Sequence, residues 1–272
     1  MNKFFKASAI ILAATCLCSC GGEDDAGGMI VSGKVSVKEN LQAFSPENNM
    51  SFSYNVILPS SFNVDPSRTY PVLYLLHGAG GSNADWCSQG NARAAVQAAI
   101  DGGVIPEIVV IMPDAKNTAY VDGFQDGIKY ETFFHDTFMP YVEKLYRIDG
   151  SRDHRFIAGL SMGGFGCSYY AFKYSGKFRY CYCMSGAVEG MGSELTPDVA
   201  SMLEGKDFSE MPAYTMDIGT EDFLYDANVR THNVLTGMGF AHEYIERPGA
   251  HDWTFWTDAL PKALERIGTY LK

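Results

Sequence analysis

The tightest constraint on this chain is a series of short apolar runs. "YPVLYLLHG" (70–78) and "EIVVIMPD" (107–114) are apolar almost without a break. A strand with one wet face alternates, whereas a strand buried on both faces has no need to. "HRFIAGL", "FRYCYCMSG", "PAYTMDIGT" and "FAHEYIERPG" follow as further strand candidates, and "SFSYNVILP" alternates as a half-buried strand does. Between them, longer periodic segments at about 91–101, 130–146, 162–174, 226–238 and 252–271 predict helices. Strands alternating with helices predict an α/β fold. Its mostly parallel central sheet is covered by helices on both faces, with right-handed crossovers. No repeat, internal linker or second domain interrupts the region 46–272, and 21–45 reads as a polar, Gly-rich tether plus an edge segment.

Composition excludes some partners. The 272 residues carry a formal net charge of −11, and no run of four basic residues occurs. Nucleic acid needs clustered Lys and Arg, so it is excluded as a partner. The first twenty residues, "MNKFFKASAIILAATCLCSC", run from two lysines into a short apolar core. That is the order of a secretory signal, and the core is shorter than the roughly 20 residues of a membrane span. "LCSC" resembles a bacterial lipobox. The resemblance implies a signal peptide over 1–20, a lipidated Cys20, and an exported lipoprotein whose only membrane contact is that anchor. The acidic "GGEDD" behind it resembles the surface-export signals of Bacteroidetes lipoproteins. The bland alternative is a soluble protein cut by ordinary signal peptidase. Outside this region Cys87, Cys167, Cys181 and Cys183 form no CxxC pair and read as small buried residues rather than a metal site or a disulfide framework.

The chemistry is concentrated at "FIAGLSMGGFG" (156–166), where four glycines crowd Ser161. Within it "GLSMG" is G-x-S-x-G between an apolar strand and a helical segment, the context this motif requires. The glycines permit a sharp turn that projects the serine oxygen from the sheet, and the following helix N-terminus favours developing negative charge. A serine hydroxyl needs a base. Of the three later histidines, His232 falls in a helical segment and His242 in a strand. His251 falls in a loop, in "RPGAHDW", and is the candidate base. "MDIGTEDFLYD" supplies the acid. Asp217 sits in the strand, Asp222 lies past the turn and is the candidate, and Glu221 and Asp226 are its rivals. Two backbone N–H groups complete the site, one from Met162 and one from Ala79 in "LLHGAGG". His77 reads as structural or pocket-lining.

"LYLLHGAGGSNADW", "AGLSMGG", "GTEDFL" and "GAHDWTFW" together resemble carbohydrate esterase family 1, which includes feruloyl esterases and is related to esterase D. The resemblance runs from about Ser51 to the C-terminus. It implies an α/β-hydrolase fold, a Ser161–Asp222–His251 triad, and Ala79 and Met162 as oxyanion donors. The expected activity is hydrolysis of feruloyl esters on plant polysaccharide such as arabinoxylan, with acetyl xylan or siderophore esters as the alternatives. No cofactor or metal is called for. Trp86, Tyr120, Phe124, Phe223 and Trp253 are candidate acyl-pocket aromatics, though such side chains are as often core. A non-enzymatic reading, a glycan-binding lipoprotein on a hydrolase scaffold, has no use for a complete triad.

Overall fold

The computed structural model describes residues 33–272. Eight strands form one sheet, in the order β1-β2-β4-β3-β5-β6-β7-β8. β1 (Ser36–Ser45) and β2 (Met50–Leu58) are antiparallel to their neighbours. β3 (Val72–Leu76), β4 (Val109–Pro113), β5 (Arg155–Leu160), β6 (Tyr180–Met184), β7 (Ala213–Gly219) and β8 (Glu243–Arg247) run parallel. The edge segment expected within 21–45 is thus a ten-residue strand of the same sheet. The expected signal segment and Cys20 lie outside the described residues.

The uninterrupted apolar runs serve two cores at once. Along β3, Val72, Tyr74 and Leu76 face one core while Leu73 and Leu75 face the other. β6 divides in the same way, with Cys181 and Cys183 on one side and Tyr180, Tyr182 and Met184 on the other. The first core is closed by α5 (Met162–Lys173) and by the segment from α3 (Tyr130–Thr132) to α4 (Met139–Leu145). The second is closed by α2 (Ala92–Asp101) and α7 (Trp253–Tyr270), with Trp86 of α1 (Asp85–Ser88) buried among them. Fully burying each such apolar side chain stabilises the fold by about 1.5–3 kcal/mol.

The helix expected over 130–146 is not uniform. A wider π turn, Phe133–Phe138, separates α3 from α4, and α4 begins with Pro140 in its first turn. Proline has no N–H to continue the regular ladder, which accounts for the irregularity just before it. α6 (Tyr225–Gly237) follows β7. Because the central strands are parallel, the loops after β3, β5, β6, β7 and β8 all emerge at one edge of the sheet, where open α/β sheets place their sites. No helix among the described residues is long and apolar enough to cross a membrane.

Candidate active site

Ser161 follows β5 and immediately precedes α5, with φ at +55°. That left-handed conformation is unfavourable for a residue with a Cβ and is held here by the surroundings. The Met184 carbonyl accepts the Ser161 N–H at 3.0 Å, and the Ser161 carbonyl accepts the Ala187 N–H at 3.1 Å. The flanking glycines are needed for space. A Cβ on Gly163 would lie 2.6 Å from the His77 carbonyl oxygen, and one on Gly159 would collide with the Gly163 carbonyl.

Three side chains distant in sequence converge at this turn. His251 Nε2 stands 2.9 Å from Ser161 Oγ, and its Nδ1 stands 2.9 and 2.8 Å from the two oxygens of Asp222. A carboxylate only accepts, so Nδ1 carries the proton and donates it, leaving Nε2 to accept from the serine hydroxyl. The Asp222 side chain is fully buried. Burial works to raise its pKa, yet the carboxyl is held below its ordinary value. The groups that hold it there are His251, the Leu224 N–H and the Ser185 hydroxyl. The rivals lie elsewhere. Glu221 and Asp226 are exposed, and Asp217 is locked in a bidentate ion pair with Arg247. His232 and His242 hydrogen-bond to each other at 2.8 Å.

The loop after β3 is held from within. The Ala115 N–H donates to His77 Nε2 at 2.8 Å, so that nitrogen is the unprotonated one and Nδ1–H donates to the Gly78 carbonyl at 2.7 Å. His77 is therefore structural and fixes the peptide that leads into Ala79. On the far side of that residue, the Gly80 N–H donates to Asn117 Oδ1 at 2.7 Å. Neither the Ala79 nor the Met162 N–H has an acceptor among the described residues. Met162 opens α5, where first-turn N–H groups have no partner in the helix.

A cavity of about 130 Å³ lies between these groups, lined by Ala79, Leu160, Ser161, His251, Trp253 and Trp256, among others. Of the five candidate aromatics, two stand at the site. Trp253 lines the cavity. Phe223 is 76% exposed, and its ring centroid lies 4.4 Å from that of His251. Trp86 and Tyr120 must be corrected to core residues. The Trp86 indole N–H donates to the Leu76 carbonyl and its ring supports Trp253 edge-on, while the Tyr120 hydroxyl donates to the His77 carbonyl. In both cases a buried polar tip finds a backbone partner, which draws the ring inward. Phe124 packs against the first core and does not line the cavity. Sequence reasoning missed Trp256, which stands edge-on to the His251 ring at 4.9 Å. Its spacing three residues beyond Trp253 on a helix was the available signal.

This fold, with a nucleophile-type elbow at the strand ends, defines the class: the protein is an α/β-hydrolase. The Esterase family model matches residues 45–267, and the chain belongs to that family. A solved structure described as a ferulic acid esterase is 31% identical, with a TM-score of 0.80 over 87% of this chain and 99% of that one. An acetyl esterase from Caldicellulosiruptor saccharolyticus is 26% identical over 73% of this chain and 84% of its own length. An endo-1,4-beta-xylanase/feruloyl esterase from Xylanibacter ruminicola is 25% identical over 78% of this chain, which spans 29% of that longer protein. The protein is accordingly a carboxylic ester hydrolase.

Proposed function

We propose that the protein is a serine esterase acting through Ser161, His251 and Asp222 on hydroxycinnamoyl esters of the feruloyl type carried by plant polysaccharide. The observation that carries the mechanism is the imidazole of His251, bonded at one nitrogen to Ser161 and at the other to Asp222. Ser161 Oγ attacks the ester carbonyl while Nε2 takes its proton. Asp222 keeps the ring in the required tautomer and stabilises the imidazolium. The Ala79 and Met162 N–H groups receive the oxyanion, and each such donor contributes on the order of 10²–10³ in kcat. Protonated His251 then gives its proton to the leaving alkoxide. Water, activated by the same ring, resolves the acyl-enzyme.

Two things support the aromatic acyl group. One is the exposed Phe223 ring beside His251, with Trp253 in the cavity wall. The other is the similarity to a ferulic acid esterase along nearly all of that chain. Cavity size favours a second reading, acetyl ester hydrolysis. About 130 Å³ is below the roughly 300–1,000 Å³ of typical ligand pockets, and an acetyl group needs no aromatic platform. The test compares kcat/KM for methyl ferulate with that for an acetyl ester of similar leaving-group pKa. The feruloyl reading expects the ferulate to lead by about one to two powers of ten, from two aromatic contacts of about 0.5–1.5 kcal/mol each. Equality or an acetyl preference moves the assignment to an acetyl esterase.

The export reading is part of the same proposal. It has an enzyme tethered through Cys20 to the outer membrane, where polysaccharide is met. Cys20→Ala should shift the protein from the membrane to the soluble fraction. A mature N-terminus found unmodified elsewhere in the segment overturns this.

A further inference from the structure

Ala79 stands between Gly78 and Gly80, two residues whose backbones turn freely. Its N–H belongs to the Gly78–Ala79 peptide and its carbonyl to the Ala79–Gly80 peptide. A donor in an oxyanion hole is worth most when it is aimed before the charge develops. With a glycine on either side, that aim has to come from groups that hold the two peptides.

The first peptide is held by its oxygen. The Gly78 carbonyl accepts the Gly81 N–H at 3.1 Å and the His77 ring at 2.7 Å. The Ala79 N–H lies in the same planar unit, so its direction is set as well. The second peptide is the centre of the turn that the Gly81–Gly78 bond closes. Gly80, third of the four residues, has φ at +70°, as a type II turn requires. Type I and type II turns differ by a flip of this central peptide, and glycine tolerates both. The Asn117 side chain selects one of them, because Gly80 N–H donates to its Oδ1 at 2.7 Å.

The stretch that carries this acceptor is itself fixed. Lys116, just before Asn117, has φ at +52°, an uncommon conformation for a residue with a Cβ. The Lys116 N–H donates to Asp114 Oδ1 at 2.7 Å, and the Thr118 hydroxyl donates to the Ala115 carbonyl at 2.8 Å. The Asn117 N–H donates to Gln125 Oε1 at 3.1 Å. The same stretch also reaches the first peptide, since the Ala115 N–H holds the His77 ring. The loop after β4 thus grips Ala79 from both sides, once through His77 and once through Asn117. His77 is buried, whereas Asn117 is exposed and does not line the cavity.

We propose that Asn117 is a positioning residue for the oxyanion hole. Its side-chain oxygen holds the Ala79–Gly80 peptide in one of its two orientations and so keeps the Ala79 N–H aimed at the developing charge. This rests on the reading of Ser161 as nucleophile and Ala79 as donor given above. Acylation and deacylation both pass through an oxyanion, so loss of Asn117 should act on kcat and leave KM in place.

The test measures kcat and KM for an aryl ester, and the inhibition constant of phenylboronic acid, with wild type, Asn117→Ala, Gln125→Ala, the double variant and Ser161→Ala. Boron takes the Ser161 oxygen and His251 takes its proton, and a boron-bound oxygen then stands where the oxyanion would. Asn117→Ala should lower kcat by about 3- to 10-fold, the range of one neutral hydrogen bond and less than the loss of a donor outright. KM should stay within about twofold, and the boronate should weaken by the same factor as kcat, a readout that a merely structural role would not move. Gln125→Ala should show the same signature at about two- to threefold, and the double variant should be no worse than Asn117→Ala, because Gln125 acts through Asn117. Should Asn117→Ala fail to fold, Gln125→Ala carries the test alone. Wild-type kcat and boronate affinity in the soluble variants, or a rise confined to KM, overturns the proposal and leaves the triad intact. If Ser161→Ala turns over at the wild-type rate, the triad reading fails and the proposal with it.

Discussion

Two imidazoles in this protein are kept from bulk water in opposite ways. His251 has both nitrogens engaged, one by Ser161 and one by Asp222. His135, in the π turn between α3 and α4, is buried with no hydrogen-bond partner at either nitrogen. Tyr170 and Tyr174 pack around it, with ring centroids at 4.5 and 3.9 Å. Burial pushes its pKa down to about 2, helped by the positive charges of Lys177, Lys173 and Arg155. The contrast teaches what makes a histidine useful. A carboxylate at the second nitrogen gives the ring somewhere to place positive charge during a reaction. Without one, a buried ring behaves as an aromatic spacer.

The contrast can be broken from either side. The largest effect belongs to the engaged histidine. His251→Ala should reduce kcat by on the order of 10⁴-fold or more, and Ser161→Ala nearly the same, because members of one catalytic unit are not additive. Circular dichroism should report an unchanged fold in both. Asp222→Asn comes next, at roughly 10³-fold in kcat, since the amide holds the wrong tautomer. If Asp222→Asn is nearly silent while Glu221→Gln is crippling, the acid has been misassigned.

His135 should act on stability instead. Its folded pKa lies below the unfolded value of about 6.5, so below pH 6.5 the unfolded chain binds a proton that the folded one refuses. Its effect on stability is absent above that pH and grows destabilising on acidification. Between pH 6.5 and 5 the cost should be about 2 kcal/mol. His135→Phe should abolish that part of the acid sensitivity in urea melts at the two pH values, with kcat unchanged at pH 7. An acid loss identical to wild type would show that the ring finds a partner after all. The smallest effect is at the mouth of the site. Phe223→Ala should lower kcat/KM for methyl ferulate by about 3- to 10-fold and leave a small acetyl ester unaffected.

Much of this was legible in the sequence. The apolar runs gave away the doubly covered sheet because strands with two cores cannot alternate. The glycines around Ser161 pointed to the turn because only they fit beside the His77 and Gly163 carbonyls. Chain order and loop context singled out Asp222 and His251, and the fold brings His251 within hydrogen-bond distance of both Asp222 and Ser161. The aromatics were not legible. Trp86 and Phe223 both neighbour active-site loops in sequence, but one turns its N–H to the Leu76 carbonyl and the other stays in solvent. Which way a ring turns depends on a partner contributed by a distant strand. His135 gave no signal either, since one histidine in an aromatic segment looks the same whether or not its nitrogens find partners.

The central claim is that Ser161 carries the acyl group. Acid quenching during turnover of p-nitrophenyl acetate, followed by intact-mass and peptide analysis, tests it directly. The account predicts one added acetyl group, located on the peptide containing Ser161 and missing from Ser161→Ala. An acetyl group on a different residue, or a Ser161→Ala variant that still turns over at the wild-type rate, would contradict it.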